Sequence, residues 1–370
     1  MVFFMKKGSP PVVAQVLSSF IAASQHGPRP LPLFLDILRD QTAGSPERSA
    51  AALAGLRAYQ DAGRAKPRKA MPARFRKGQA RLRDYGAKGA TGRAVIVIPS
   101  LINPPHILDL RPESSLLRWL AGQGHRPFLL DWGTQGPKAR DLDVDAHITR
   151  VLLPLIAKFP VPPILIGYCL GGTMALAASC LTEVAGLALI ASPWHFTGYG
   201  SAARAEIAAL WDSAKPACDT LGLVPMEVLQ AGFWRLDPAR TIAKYEAFAA
   251  LEPDSEAARS FIALEDWANG GAPLPFATGV QIFENFIAAD TPGTGAWQIS
   301  GVTIAPAALS CPAIEFVSLN DRIVPAASAA NLRDRRDLGA GHVGMIVGRG
   351  ARTQLWEPLS DWLKALPLPK

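Results

Sequence analysis

The chain has 370 residues, 49% hydrophobic and 19% charged, with 38 basic against 31 acidic residues for a net charge of +7. That apolar fraction excludes a disordered chain, and 32 Gly and 32 Pro scattered without period exclude collagen-like and low-complexity classes. Four cysteines, at 169, 180, 218 and 311, are too few and too dispersed for a disulfide framework, and none forms a CxxC pair of the kind that holds structural zinc.

Residues 1–63 read as an N-terminal helical region, because VVAQVLSSFIAA and SAAALAGLRAYQ carry apolar residues at helical spacing. The opening MVFFMKKGSPP lacks the apolar stretch and small-residue cleavage site of a secretory signal. Residues 64–92 read as a basic linker arm. With Arg93 included, this segment holds eleven Lys or Arg against one acid, Asp84, so the remaining 27 basic and 30 acidic residues sum to −3. The charge excess is therefore local. The arm has one Phe and one Tyr, without the interleaved aromatics of a single-strand binder. Nucleic acid is not an expected partner; a solvated arm, or contact with an anionic ligand or partner, is.

An α/β rhythm begins at residue 93. Apolar runs of strand type (RAVIVI at 93–98, RPFLL at 126–130, PILI at 163–166, GLALIA at 186–191) alternate with helical patterns at 113–121, 144–159 and 171–181. Such alternation predicts a mostly parallel sheet flanked by helices. The uncharged stretch 161–182 is long enough to cross a bilayer, but Pro162, Pro163, Gly167, Gly171 and Gly172 divide it into strand, turn and buried helix. From 192 to 300 the pattern is mainly helical, as expected for a cap or lid inserted into the sheet domain. The rhythm resumes with AIEFVS at 313–318, and 351–365 reads as a closing helix. The expected organisation is an α/β core of 93–191 and 301–370 interrupted by a helical cap of 192–300.

The strongest local signal is Gly167-Tyr168-Cys169-Leu170-Gly171-Gly172, between a strand and a helix. This is the setting of the nucleophile elbow G-x-S-x-G, with Cys in place of Ser. Flanking glycines relieve the sharp turn, the helix N-terminus favours thiolate, and the Leu170 amide is placed to hold a developing oxyanion. A thiol nucleophile needs a base and an orienting acid, which follow the elbow as acid, then His. Of six histidines, His342 in GAGHVGM lies near the C-terminus, and Asp321 in SLNDRIVP follows the AIEFVS strand. Asn320, Asp334 and Asp337 compete for the acid's place. No cluster of His, Cys and carboxylate has metal-ligand spacing, so no metal is expected.

Several segments together resemble the catalytic domain of polyhydroxyalkanoate synthases, polyester polymerases of the α/β-hydrolase superfamily. IPSLINPPHILDLRPESSLLRWLAGQGHRPFLLDWG is similar to the family's segment from the oxyanion strand to the Asp-Trp turn. GYCLGG is similar to its cysteine box, ASPWHFTG and LGLVPMEVLQ to cap segments, and SLNDRIVP and AGHVGM to its acid and histidine boxes. The resemblance runs from about residue 93 to 365 and implies an α/β-hydrolase fold with a helical cap. It implies that Cys169 carries the acyl chain as a thioester, that His342 is the general base and that Asp321 orients it. Oxyanion donors would be the amides of Leu170 and of Leu101 or Ile102. Asn103, His106 and Tyr168 are the candidate substrate-contacting residues, with His106 read either as a second polar group of the pocket or as a structural histidine. The family usually has aromatic residues where Pro105 and His106 stand, and the interval from Asp321 to His342 is shorter than its norm.

The implied activity is an acyltransferase that polymerises (R)-3-hydroxyacyl-CoA. The alternative is a hydrolase with the same three residues: a thioesterase, a polyester depolymerase or a dienelactone-hydrolase-like esterase, although the last lacks so long a segment between elbow and acid. A non-enzymatic granule-surface or scaffold role requires the three groups to be inert. No cofactor is expected beyond CoA as part of the substrate. Expected partners are the hydroxyacyl-CoA, a second copy or a partner subunit, and a polyester granule surface. The expected location is cytoplasmic, with granule association as an extension of it.

Overall fold

The computed structural model describes residues 26–66, 68–87 and 92–367. Among these, eight strands form one sheet: β1 (Ala73–Lys77), β2 (Ala80–Asp84), β3 (Ala94–Ile98), β4 (Arg126–Asp131), β5 (Ile164–Tyr168), β6 (Gly186–Ile190), β7 (Ala313–Ser318) and β8 (Asp334–Leu338). Their spatial order is β1-β2-β4-β3-β5-β6-β7-β8. From β4 to β8 every neighbouring pair is parallel, while β1–β2 and β2–β4 are antiparallel. Every residue of β3, β5 and β6 is buried, because helices cover both faces, which explains the continuous rather than alternating apolar runs. Ile96, Ile98, Leu165 and Leu187 feed the core on one face, and Val95, Val97, Ile166 and Ile190 the core on the other.

The basic segment departs from its expected form. Within the stretch read as a linker arm, β1 and β2 make a hairpin that pairs with β4 and extends the sheet. Alternation explains it. Ala80 and Leu82 turn into the core, and Arg81 and Arg83 turn away from it. Arg83 reaches Asp131 at 2.7 Å, and Arg74, Arg76 and Lys77 lie exposed on the edge strand. Cations on an edge strand also discourage pairing with another chain.

Among the described residues, two helices precede the sheet, α1 (Leu31–Thr42) and α2 (Pro46–Asp61). Ser45 caps α2 by accepting from the Arg48 amide, and Pro46 fits the first helical position. The helical reading of 12–23 lies outside the described residues. Helix α3 (Leu116–Gly122) and the helical stretch 144–156, which contains a π turn at Ile148–Leu152, link the early strands. Helix α4 (Leu170–Leu181) follows β5, and its Ala-rich surface is buried almost throughout. Between β6 and β7 come α5 (Ser201–Leu221), α6 (Met226–Leu236), α7 (Pro238–Ala249), α8 (Glu256–Ala268) and a helical stretch over 276–288. The chain closes with α9 (Glu357–Ala365). Among the described residues, no helix is long and apolar enough to cross a membrane.

The N-terminal pair packs on these inserted helices. Phe34, Leu56 and Tyr59 form a separate core with Trp234, Tyr245 and Phe248. A Cβ on Gly55 would lie 1.9 Å from the Tyr245 carbonyl oxygen, so α2 and α7 cross at a contact that admits only glycine. Arg48 reaches Glu246 at 2.9 Å, and Arg64, from the basic segment, reaches Asp266 at 3.0 Å.

Candidate active site

Cys169 stands between β5 and α4 with φ 56° and ψ −134°. For a non-glycine residue this is a strained conformation costing on the order of 1–3 kcal/mol, sustained by its surroundings. The Cys169 amide donates to Ile190 O at 2.9 Å, and the Gly172 amide returns to Cys169 O at 2.8 Å. Glycine is required on either side. A Cβ on Gly171 would lie 2.2 Å from Ile98 O, and one on Gly167 would lie 2.2 Å from the Gly172 Cα. The turn thus fits against β3 and α4 only without side chains, and it directs the sulfur out at the helix N-terminus.

Asp321 follows β7, and His342 lies in the loop after β8, so the register of these two strands sets their approach. The loops are joined by Asn320 Nδ2 donating to Gly339 O at 2.7 Å and by Ser318 Oγ donating to Ala340 O. His342 Nδ1 and Asp321 Oδ2 are 2.5 Å apart, both side chains buried. The other carboxylate oxygen of Asp321 accepts from the amides of Ile323 (2.7 Å) and Val324 (2.9 Å). The Tyr168 ring stacks on the imidazole with centroids 5.0 Å apart, and its hydroxyl donates to His342 O at 3.3 Å. Burial works against a charged imidazole, but Asp321 and the nearby Cys169 sulfur outweigh it and push the His342 pKa up to about 10. The competing acids are engaged elsewhere: Asn320 with Gly339, Asp334 with Arg336, and Asp337 with Arg335.

A cavity of about 340 Å³ opens over Cys169, Asp321 and His342. Ile102, Asn103 and Tyr168 line it. The Ile102 amide donates to Ser100 Oγ at 3.2 Å, so of the two loop amides considered for an oxyanion this one has a competing acceptor. Leu101 is half-buried beside the core and does not line the cavity. His106 does not line it either. The turn Pro105–Asp109 buries Ile107 and Leu108 and leaves His106 exposed.

Residues missed by sequence reasoning complete the wall. Asp237, Arg240, Thr241 and Lys244 line the cavity from one face of α7, at i, i+3, i+4 and i+7. Glu265 and Trp267 join them from α8. Lys244 Nζ lies 2.8 and 2.9 Å from the two Glu265 oxygens, and Tyr245 OH donates to Glu265 at 2.9 Å. Trp267 Nε1 donates to Pro104 O at 2.8 Å, tying α8 to the loop after β3. Arg322, next to Asp321, reaches Asp237 at the start of α7 at 2.9 Å. The polar spacing along α7 is visible in the sequence, but which side faces Cys169 depends on the fold.

Comparison with known proteins adds three findings. Residues 95–352 match the family model described as "Alpha/beta hydrolase family". The poly(3-hydroxyalkanoate) polymerase subunit PhaC of Haloferax mediterranei is 26% identical over 306 residues, 78% of this chain and 62% of that protein. The subunit of the same name from Allochromatium vinosum is 25% identical over 297 residues, 76% of this chain and 83% of that one. The likeness to these polymerases read from the sequence boxes is thus shown across about three quarters of the chain, which spans only about 60% of the length of its haloarchaeal relatives. Among solved structures, a monoacylglycerol lipase from Paleococcus ferrophilus aligns with a TM-score of 0.47 at 14% identity, over 77% of this chain and 98% of that one.

Proposed function

The chain belongs to the alpha/beta hydrolase family, and from that premise we propose that it is an acyltransferase polymerising (R)-3-hydroxyacyl-CoA through a Cys169 thioester. One observation carries the reading: a thiol stands at the elbow beside a buried His–Asp pair 2.5 Å apart, in a chain aligned with poly(3-hydroxyalkanoate) polymerases. A thiol suits this chemistry. Exchange between an acyl-CoA thioester and a protein thiolate is nearly balanced, so the acyl group stays activated for an alcohol acceptor.

The Cys169 thiolate attacks the substrate thioester carbonyl, and the oxyanion is held by the Leu170 amide with one amide of the Leu101–Ile102 loop. The carbon–sulfur bond to CoA breaks, and His342, protonated at rest, gives its proton to the departing thiolate. Acylation caps the Cys169 sulfur, one of the groups that raise the His342 pKa. The neutral imidazole then takes the proton of an incoming 3-hydroxyl, whose oxygen attacks the Cys169 thioester. An ester forms, Cys169 leaves as thiolate, and the lengthened chain on CoA reloads it. Asp321 fixes the ring and stabilises its charged form. Tyr168 stacks on the ring, and Asn103 faces the acyl group. The activated bond arrives with the substrate, so the cycle requires no resident cofactor. A granule surface, a second copy and a partner subunit are the proposed associations.

The test is an assay with (R)-3-hydroxybutyryl-CoA. CoA release with an ester-linked polymer is the expected result. CoA release with free 3-hydroxybutyrate instead assigns the same residues to hydrolysis. No CoA release above that of Cys169→Ala overturns both.

A further inference from the structure

The cavity's charged side chains fall into pairs with one left over. Asp321 pairs with His342, Glu265 with Lys244 and Asp237 with Arg322. Arg240, the remaining charged residue of the lining, has no carboxylate partner among the described residues and is exposed to solvent. Its backbone is held at the start of α7, where its amide donates to Asp237 Oδ1 at 3.1 Å. That carboxylate is already engaged by the helix start and by Arg322, so it is not free to neutralise the guanidinium. Lys244 lies about one turn further along the same helix face and is half-buried. The cavity thus runs from a nucleophile with its base to a mouth bearing one unmatched, always-charged bidentate donor.

We propose that Arg240 is the anchor for the phosphate end of the acyl donor. This rests on the acyl-thioester reading above. With the acyl carbonyl at Cys169, the neutral pantetheine arm occupies the cavity and the anionic phosphates of its carrier meet the guanidinium at the mouth. The basic segment, the sequence's candidate for an anionic contact, has spent several of its cations inside the protein. Arg64 is bound to Asp266, Arg68 to Asp109, Arg83 to Asp131, and Arg93 to Pro367 O. Of the cations that line the reaction cavity, Arg240 is the one without a carboxylate partner among the described residues.

Calorimetric binding of CoA, 4′-phosphopantetheine and pantetheine to the full chain and to Arg240→Gln tests the assignment whether or not turnover is observed. CoA should bind the wild type about tenfold more tightly than pantetheine, the scale of a charge-assisted hydrogen bond. Arg240→Gln should erase most of that ratio, and Arg240→Lys should restore part of it. Phosphopantetheine binding like CoA identifies the phosphate next to the pantetheine arm as the anchor. Phosphopantetheine binding like pantetheine identifies the phosphates of the nucleotide half. Where turnover is present, the kcat/KM ratio of acyl-CoA to acyl-pantetheine should collapse in Arg240→Gln, chiefly through KM for acyl-CoA. A CoA-to-pantetheine binding ratio near one in the wild type, or an unchanged ratio in Arg240→Gln, overturns the proposal. Absence of thioester turnover alongside a phosphate-dependent binding ratio overturns the acyltransferase reading and leaves the anchor standing.

Discussion

Around Cys169 the geometry is held by backbone. The residue has a φ of 56°, and neighbouring glycines pack where a Cβ would come within 2.2 Å of Ile98 O or 1.8 Å of Ser192 Oγ. Around α7, the Gly55 crossing with α2 apart, the geometry is held by side chains: a shared aromatic core with α1 and α2, the Lys244–Glu265 pair, and half-exposed ion pairs such as Arg48–Glu246. The first arrangement has almost no neighbouring alternatives, because interiors are close-packed and a shift of one atom displaces a strand. The second can loosen by one contact at a time. The difference separates tasks. The rigid sheet holds Cys169, Asp321 and His342, and the adjustable helices shape the cavity over them.

The largest expected effect is at Cys169. Cys169→Ala should lower CoA release by at least about 10³-fold, the scale seen when a member of such a constellation is removed, with unchanged circular dichroism. Retention of a tenth of the activity would move the chemistry away from the elbow. Gly171→Ala comes next, since its Cβ meets strand backbone rather than a movable side chain. It should destabilise the fold by roughly 3 kcal/mol in urea titrations; a shift of the midpoint within error would show that the elbow can relax after all. Gly55→Ala makes a similar clash with Tyr245 O, but in the adjustable region. Hydrogen exchange should speed up over 31–61 and 238–249 while β5 and α4 stay protected, and KM should rise more than kcat falls. Equal loss of protection across the sheet would erase the contrast.

A subtler test uses pH. The His342 pKa stands at about 10 in the folded chain against an ordinary 6.5, so its pairing stabilises the fold fully below 6.5 and loses that contribution as pH rises through 10. The melting-temperature gap between wild type and His342→Gln should therefore shrink from pH 6 to pH 10. A gap that widens over this window would mean that the ring is neutral at rest. Smallest of all, Arg48→Ala should cost about 0.5 kcal/mol or less, as partly exposed ion pairs do.

The sheet from β3 to β7 was legible because buried parallel strands carry unbroken apolar runs, as AVIVI does. The elbow was legible because its glycines answer to local close approach. The hairpin was not. In ARFRK and ARLRD the arginines mask a period-two pattern of Ala73, Phe75, Ala80 and Leu82, and Gly78-Gln79 form the turn between them. Asp321 and His342 could be ordered along the chain, but their 2.5 Å approach comes from the pairing of β7 with β8. The cavity face of α7 was beyond reach for another reason. Its two polar and apolar sides are both visible, yet the partner of each is a segment far away in sequence, α2 on one side and the elbow on the other.

The placement of the inserted helices has a consequence for how such chains diversify. β6 and β7 are parallel neighbours, so the chain leaves one end of the sheet after Ile190 and must re-enter at the other end at Ala313. A parallel crossover needs only a dozen or so residues, and everything beyond that is free for elaboration without disturbing a strand. The helices over the site are in that sense an exchangeable part fitted to a fixed frame. They are not a free-standing one, because α7 is gripped from behind by α1 and α2 through Gly55. A chimera that imports another chain's crossover should keep its fold only if residues 31–61 are imported with it.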